Sequence, residues 1–334
     1  MMRSAGHYIV VGSGNIAKRH IRNLKLLDPA GFIMCVAASG RPMLATEAGA
    51  DAVCSSITEA VARRPHLAII ASPAPFHLAH AAPFATAGIA LLIEKPLSDT
   101  TDFDPAVEKA LRGNADRTLV GYNLRFLAAA QKLHTVLQSG RLGQVHSVLI
   151  DCGQYLPDWR PGSDYRQGVS ARPELGGGVL LELSHELDYM SWLFGHPDSV
   201  FCSATNSGTL GIGVEDTIDA LFDMGPGRPK ISLHMDFLQR AAHRTCKIIG
   251  AEGTALWDLR GNQLRLETGS GAAEILHDDA ALDRNEMYLD ELRHALNVAD
   301  GRARPLVTLD DGLYVLTLIA AMRRSAKTET PVRI

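Results

Sequence analysis

One stretch limits the fold of this chain more than any other: Tyr8-Ile9-Val10-Val11-Gly12-Ser13-Gly14-Asn15-Ile16-Ala17-Lys18-Arg19-His20. A run of β-branched and aromatic residues ends in glycines. A segment follows in which Ile16, Ile21 and Leu24 can share a helix face. Strand, tight turn and helix are the context that gives Gly12-x-Gly14-x-x-Ala17 meaning. Gly12 permits the turn, Gly14 has no Cβ to hold off a pyrophosphate, and Ala17 lets the helix pack closely. The free N–H groups and positive dipole end of the helix then face phosphates. Gly12, Ser13, Gly14, Asn15 and Ile16 are therefore the expected dinucleotide contacts. The bland alternative is an ordinary glycine turn.

The first third of the chain alternates short apolar runs with helical segments. Strands are predicted at 32–37, 53–54, 67–71, 89–93 and 119–122. Helices are predicted at 43–50, 58–64, 77–87 and 103–112, the second capped by Ile57 or Thr58. Runs with no polar interruption fit a parallel sheet covered on both faces. Ligands of such sheets bind beyond the carboxyl ends of the strands. Those ends carry Gly12, Ala38-Ser39, Ser72-Pro73, Glu94-Lys95-Pro96 and Asn123, where polar and special residues collect.

The pattern changes near residue 124. An amphipathic helix is predicted at 127–139 and a strand at 145–152, followed by a long polar and aromatic loop at 154–178. One helix is predicted over 179–194, ended by Gly195. Extended segments at 199–206, 216–222, 231–238, 244–249, 254–258 and 263–267 are separated by turn signals. They predict an antiparallel meander joined to helices, an α+β domain. Helices at 284–298 and 311–325 close the chain, the last able to pack on either domain.

Composition narrows the function classes. With 334 residues, 46% hydrophobic, and a net charge of −4, the chain suits about two globular domains. No basic concentration marks a nucleic-acid footprint. The longest apolar runs are too short to span a membrane. The first of them leads straight into the glycine turn, so no signal peptide is expected. Cys35, Cys54, Cys152, Cys202 and Cys246 are odd in number and scattered, with no CxxC. They read as thiols of a cytoplasmic protein, not as a disulfide or zinc framework.

The chain resembles the Gfo/Idh/MocA family, the glucose–fructose oxidoreductase and inositol dehydrogenase group, over nearly its whole length. The markers are the glycine fingerprint, Ser72-Pro73-Ala74-Pro75-Phe76-His77, Glu94-Lys95-Pro96 and Gly121-Tyr122-Asn123-Leu124-Arg125-Phe126. Gly176-Gly177-Gly178 leading to His185 and Asp188, and Leu309-Asp310-Asp311-Gly312, complete them. Glu94-Lys95-Pro96 after a buried strand is the most specific. The resemblance implies an α/β protein: a doubly wound parallel Rossmann domain, here 1–122, and an α+β domain with a large, mostly antiparallel open sheet, here 123–334. It implies a nicotinamide cofactor, held by the fingerprint with Ser39, Arg41, Ser72, Pro73, His77, Glu94, Lys95 and Asn123. It implies redox chemistry at a carbinol carbon of a sugar, sugar acid, nucleotide sugar or polyol. It also implies a homodimer or homotetramer formed through the second sheet, and a cis Lys95-Pro96 bond. Some positions depart from the family pattern. Leu181 stands where an aspartate often precedes the active-site histidine by four residues, leaving Glu182 as the nearest acid; Ala74 and Leu124 replace a usual Asn and Arg.

The candidate residues carry matching chemistry. A lysine at position 95 can hydrogen-bond a reacting hydroxyl, and its charge favours the alkoxide character that develops as hydride leaves. A solvated lysine at a strand end is the alternative. His185 suits proton exchange with a carbinol; otherwise it is a core histidine. Predicted two turns into one helix, it would share a face with Glu182 and Asp188, the second able to orient the ring. That spacing lacks HExxH, and no metal is expected. The 154–178 loop offers Tyr155, Trp159, Tyr165 and Arg166, whose faces and forks, with Arg125, suit a sugar ring or an anionic group; the alternative is a subunit contact.

The leading expectation is an NAD(P)-dependent dehydrogenase of CH–OH groups. The alternatives are a non-catalytic NAD(P)-binding sugar or redox sensor, and a methyltransferase using the glycine loop. Lys95 and His185 count against the first, and Glu94-Lys95-Pro96 against the second. No acid follows the second predicted strand until Glu47, and Ser39 and Arg41 can hold a 2′-phosphate, so the cofactor expectation leans to NADP.

Overall fold

The computed structural model describes residues 6–37, 43–269, 271 and 273–334. The chain forms two compact units, Met1–Asn123 with Arg284–Leu316, and Leu124–Asp283 with Thr317–Ile334.

The first unit is built on six parallel strands. They are β1 (His7–Val11), β2 (Phe32–Val36), β3 (Ala52–Cys54), β4 (Leu67–Ile70), β5 (Ala90–Glu94) and β6 (Thr118–Gly121), in the order β3-β2-β1-β4-β5-β6. This is the doubly wound order, and it reverses between β1 and β4. β1 pairs with both neighbours in register, Tyr8 opposite Ile33 and Leu67. Ile9, Val10, Ile69, Ile70, Leu92 and Ile93 are fully buried, as strands covered on both faces require.

The covering helices are α1 (Asn15–Leu27), α2 (Ala45–Ala48), α3 (Ile57–Ala62), α4 (His77–Thr86) and α5 (Pro105–Gly113). α2 is a single turn, shorter than its predicted span. α3 is capped by Ser56, whose Oγ accepts from the Glu59 N–H, and not by Ile57 or Thr58. A hydroxyl satisfies an orphan donor that isoleucine cannot.

The second unit begins with α6 (Ala128–Gln138) and β7 (Val145–Gly153). The predicted single helix over 179–194 is two helices, α7 (Val179–Glu182) and α8 (His185–Phe194). Leu183 and Ser184 separate them. Here the ladder tightens, and the Glu186 N–H donates to the Leu183 carbonyl three residues back.

The strands β8 (Ser199–Thr205), β9 (Thr217–Asp223), β10 (Lys230–Asp236), β11 (His243–Gly250), β12 (Thr254–Asp258), β13 (Gln263–Glu267) and β14 (Glu274–Asp278) follow. The chain then returns to the first unit as α9 (Glu286–Ala299), which packs on α1 and β5 there, and continues as α10 (Leu309–Thr328) and β15 (Val332–Arg333). The nine-stranded sheet runs β14-β13-β12-β11-β7-β10-β9-β8-β15. β7 and β10 pair in parallel, and the other described pairings are antiparallel. One face is core, with Val148, Ile150, Ile218, Phe222, Leu233, Cys246 and Trp257 buried. The alternate residues Leu149, Phe201 and Leu221 are exposed on the other face, as a two-residue period dictates. All five cysteines are buried and free. No helix of the described residues is long and apolar enough to cross a membrane.

Candidate active site

In the first unit the fingerprint sits at the sheet's reversal point. Gly12 ends β1 with φ +129°, and a Cβ there would lie 2.3 Å from the Ala71 carbonyl oxygen on the neighbouring strand. The close approach is backbone to backbone, so only glycine fits. Gly14 is exposed, with open space where a Cβ would stand. Ser13 and Ile16 are half-buried and Asn15 is exposed around it. α1 has no side-chain cap and no acid in its first turn. The cradle thus fits a pyrophosphate: room beside Gly14, and helix N–H groups with no carboxylate competing for them.

Beside the cradle, β4 ends at Ser72-Pro73 and β5 at Glu94-Lys95. Lys95 is half-buried and joined to Pro96 by a cis bond. Glu94 is only 7% exposed, and its Oε1 accepts from His20 Nε2 on α1 at 2.6 Å. Burial opposes its charge. The His20 hydrogen bond and the charges of His20, Lys95 and His77 nevertheless hold the carboxyl below its ordinary range.

His77 is fully buried. Its Nδ1 lies 2.8 Å from the Pro96 carbonyl and its Nε2 2.6 Å from the Ser72 carbonyl. Burial pushes its pKa down against the pull of these two carbonyls. Glu94 and His77 were both expected to touch the cofactor. Their side chains bond within the unit, Glu94 to His20 and His77 to the carbonyls of Ser72 and Pro96. Asn123 is buried and hydrogen-bonds Tyr288 of α9. Ser39 and Arg41 lie outside the described residues.

In the second unit the three glycines let the chain pass through tight quarters. A Cβ on Gly177 would lie 2.6 Å from the Val169 carbonyl, and Gly178 takes φ +106° against Glu215. Glu215, raised in pKa by burial, accepts from the Leu180 N–H at the start of α7. His185 is half-buried and is the first residue of α8, not two turns into a helix. Glu182 belongs to α7, so the shared-face argument that tied it to His185 does not hold across the break.

Asp188 is engaged by Arg125. Its two oxygens accept from Arg125 Nε at 3.0 Å and Nη2 at 2.7 Å, with both side chains buried. The Arg125 guanidinium also lies 5.6 Å from the Trp192 ring centroid. Two residues before Asp188, Glu186 makes a second bidentate pair with Arg244, at 2.6 and 3.0 Å. These pairs pin two sides of α8, the helix that starts with His185.

The long loop is a chain of short turns. Tyr155 packs under Arg240, whose guanidinium is 3.6 Å from the ring centroid. Trp159 donates to the Gln154 carbonyl and meets Phe237 edge-on at 5.3 Å. Tyr165 donates its hydroxyl to the Leu210 carbonyl. Arg166 is exposed and paired with Asp164. The aromatics are thus anchored to their own unit, and Arg166 is the most open of the four.

His20, Glu291, Glu186 and Arg244 were not singled out from sequence. Two of them carried a signal. His20 falls in the apolar stripe of Ala17, Ile21 and Leu24, and Glu291 in that of Leu292, Ala295 and Leu296. A charged residue in a buried stripe marks a polar cluster in the core.

Residues 7–122 match the family described as "Oxidoreductase family, NAD-binding Rossmann fold", and residues 130–256 match the GFO/IDH/MocA C-terminal domain. The chain belongs to the Gfo/Idh/MocA family of NAD(P)-binding oxidoreductases. Among relatives it is 23% identical over 273 residues to inositol 2-dehydrogenase of Rhizobium meliloti (strain 1021), covering 80% of each chain. Its fold is similar to that of levoglucosan dehydrogenase in complex with NADH and levoglucosan, with TM-score 0.84, 18% identity and 99% of each chain covered. It is also similar to the WlbA dehydrogenase from Bordetella pertussis in complex with NADH and UDP-GlcNAcA, with TM-score 0.82, 21% identity, and 100% and 99% covered.

Proposed function

We propose that this chain is an NAD(P)-dependent dehydrogenase acting on a carbinol carbon of a sugar, sugar acid, nucleotide sugar or polyol. The observation that carries this reading is Lys95. It stands at the carboxyl end of buried β5, in the same unit and sheet as the pyrophosphate cradle, on a loop fixed by His77 and Glu94. The named relatives, which act on inositol or were solved with levoglucosan or a nucleotide sugar, support the substrate class.

When bound, the nicotinamide supplies the hydride acceptor or donor. Gly12 and Gly14 leave room for its pyrophosphate, and the first turn of α1 supplies N–H donors. Lys95 donates a hydrogen bond to the reacting hydroxyl, and its charge favours alkoxide character on that oxygen. His185 takes the proton in the oxidative direction and returns it in reduction. Arg125 and Asp188, with Glu186 and Arg244, fix the helix that begins at His185. The absence of an acid over 37–41 supports NADP over NAD, which paired titrations of the two cofactors test. The exposed face of the nine-stranded sheet supports a homodimer or homotetramer.

The deciding experiment is a panel of sugars, sugar acids, nucleotide sugars and polyols assayed with NAD and NADP by reduced-nicotinamide absorbance. Turnover within one substrate class supports the reading. Tight cofactor binding with no turnover across the panel replaces it with a sensor.

A further inference from the structure

Behind Lys95, three ionisable side chains meet in the interior of the first unit. His20 on α1, Glu94 at the end of β5 and Glu291 on α9 each place a polar atom within 4.8 Å of the others. They are 0%, 7% and 0% exposed. His20 donates to Glu94. Neither oxygen of Glu291 has a hydrogen-bond partner among the described residues.

The charged and titratable groups facing the cluster come from each element around it. Arg19 on α1 lies 4.3 Å from the ring of Tyr288 on α9, and Lys95 and His77 act on Glu94. Glu94 thus has the His20 hydrogen bond and the charge of Lys95 to balance a negative charge, while Glu291 meets the charge of Glu94, which repels its own. Two carboxyl groups this close in a dry interior do not both ionise. The asymmetry of their partners decides which one keeps the proton.

We propose that Glu291 is protonated in the folded protein and donates to Glu94, so that Glu94 is gripped by His20 on one side and Glu291 on the other. Glu94 is then fixed in place and in charge beneath the loop that carries Lys95, which makes His20 and Glu291 positioning residues for that lysine. The kinetic part of this inference rests on the dehydrogenase reading; the protonation of Glu291 does not. A divalent cation would use the same three atoms. A metal-bound imidazole, however, normally donates its second N–H to a partner. His20 Nδ1 is buried with no such partner among the described residues.

The direct test is an infrared difference spectrum of the wild type against Glu291→Gln at neutral pH. A protonated-carboxyl stretch that moves in D2O is expected from the wild type. Glutamine is close in shape to the protonated acid and is still a donor. A carboxyl that holds its proton more tightly in the folded state stabilises at low pH, and this contribution is lost as pH rises. Glu291→Gln is therefore expected to melt about 2–4 °C above wild type at alkaline pH, with the gain disappearing in acid. Glu291→Ala is expected to lose roughly tenfold in kcat with cofactor affinity held, and Glu291→Gln to recover most of that loss.

Absence of the carboxyl band, with a glutamine variant less stable than wild type in alkali, overturns the protonation. Stoichiometric zinc or manganese found by plasma mass spectrometry, and lost in Glu291→Gln, replaces it with a cation site. A carboxyl band with unchanged kcat in Glu291→Ala overturns the positioning role. If no substrate turns over, the dehydrogenase reading falls, and the infrared and thermal results still decide the protonation.

Discussion

Two substitutions separate the roles of Lys95 and His185. In the proposed mechanism, Lys95→Ala removes a hydrogen bond and a charge at the reacting oxygen but no part of the pyrophosphate cradle. It is expected to lose most of kcat while cofactor still binds, as steady-state kinetics and a cofactor titration show; near-normal turnover removes the role. His185→Gln keeps a polar side chain but no base. It is expected to lower kcat by roughly 10²–10⁴-fold, the range for a positioned acid or base. If His185 is the base, the wild-type oxidation rate should fall on the acid side as the imidazole protonates, and the variant should lose that limb. An unchanged pH profile would move the base elsewhere. Both residues were visible in the sequence because each stands at a punctuated position, Lys95 between a buried strand and a proline, His185 soon after three glycines. The ion pair that pins the helix starting at His185 was harder to see. Arg125 and Asp188 are 63 positions apart, as are no two residues of a local pattern, and their bidentate pairing is a fact of tertiary structure alone.

The parallel sheet was legible because its strands are apolar throughout and its helices alternate with them. Helix boundaries were less so, and one error had chemical consequences. Residues 179–194 have an apolar pattern compatible with one helix, but the tightened turn at Leu183 and Ser184 resets the phase and puts His185 at a helix start. β14 was also missed, since Glu274 and Ile275 are exposed and no buried alternation marks it. The glycine turn of β1 and α1 offers a test of the element itself. Gly12 combines φ +129° with a backbone oxygen 2.3 Å from the missing Cβ, so a side chain cannot be relieved by a rotamer change. Gly12→Ala is expected to cost about 1–3 kcal/mol for the backbone conformation alone. Urea unfolding measures that loss, and titration should show weaker cofactor binding. A fully stable variant would mean that β1 and β4 can separate at this end.

The nine-stranded sheet leaves a face with two kinds of residue on it, and both give expectations for the molecule in solution. His234 of β10 sits between Asp219 at 2.7 Å and Asp236 at 3.0 Å. The Asp236 hydrogen bond, against partial burial and with help from Asp219, raises the His234 pKa to about 9. A raised histidine pKa stabilises fully below the unfolded value of about 6.5, and that contribution is lost as pH rises through the folded one. The melting temperature should therefore fall as pH is raised through about 9, and His234→Gln should flatten that slope. Next to this polar row lies an apolar one. Phe201 pairs with Leu221, Leu221 with Ser232, and Ser232 with Leu149, so three large side chains cross four adjacent strands in register. They are 42%, 57% and 43% exposed. An apolar row of this kind on an open sheet face is where a second copy is expected to pack, if the chain associates as proposed. In that proposed association the same face on both copies would make a two-fold contact, each row against the other, and leave the core side of the sheet untouched. Light scattering after size exclusion should give a dimer or tetramer for the wild type. Leu221→Glu places a charge in the middle of the row, on both copies at once, and should shift the population toward monomer without lowering the melting temperature of the isolated chain. A wild type that stays monomeric at high concentration would remove this face as the interface, and would leave its leucines as solvent-exposed residues of a one-sided sheet.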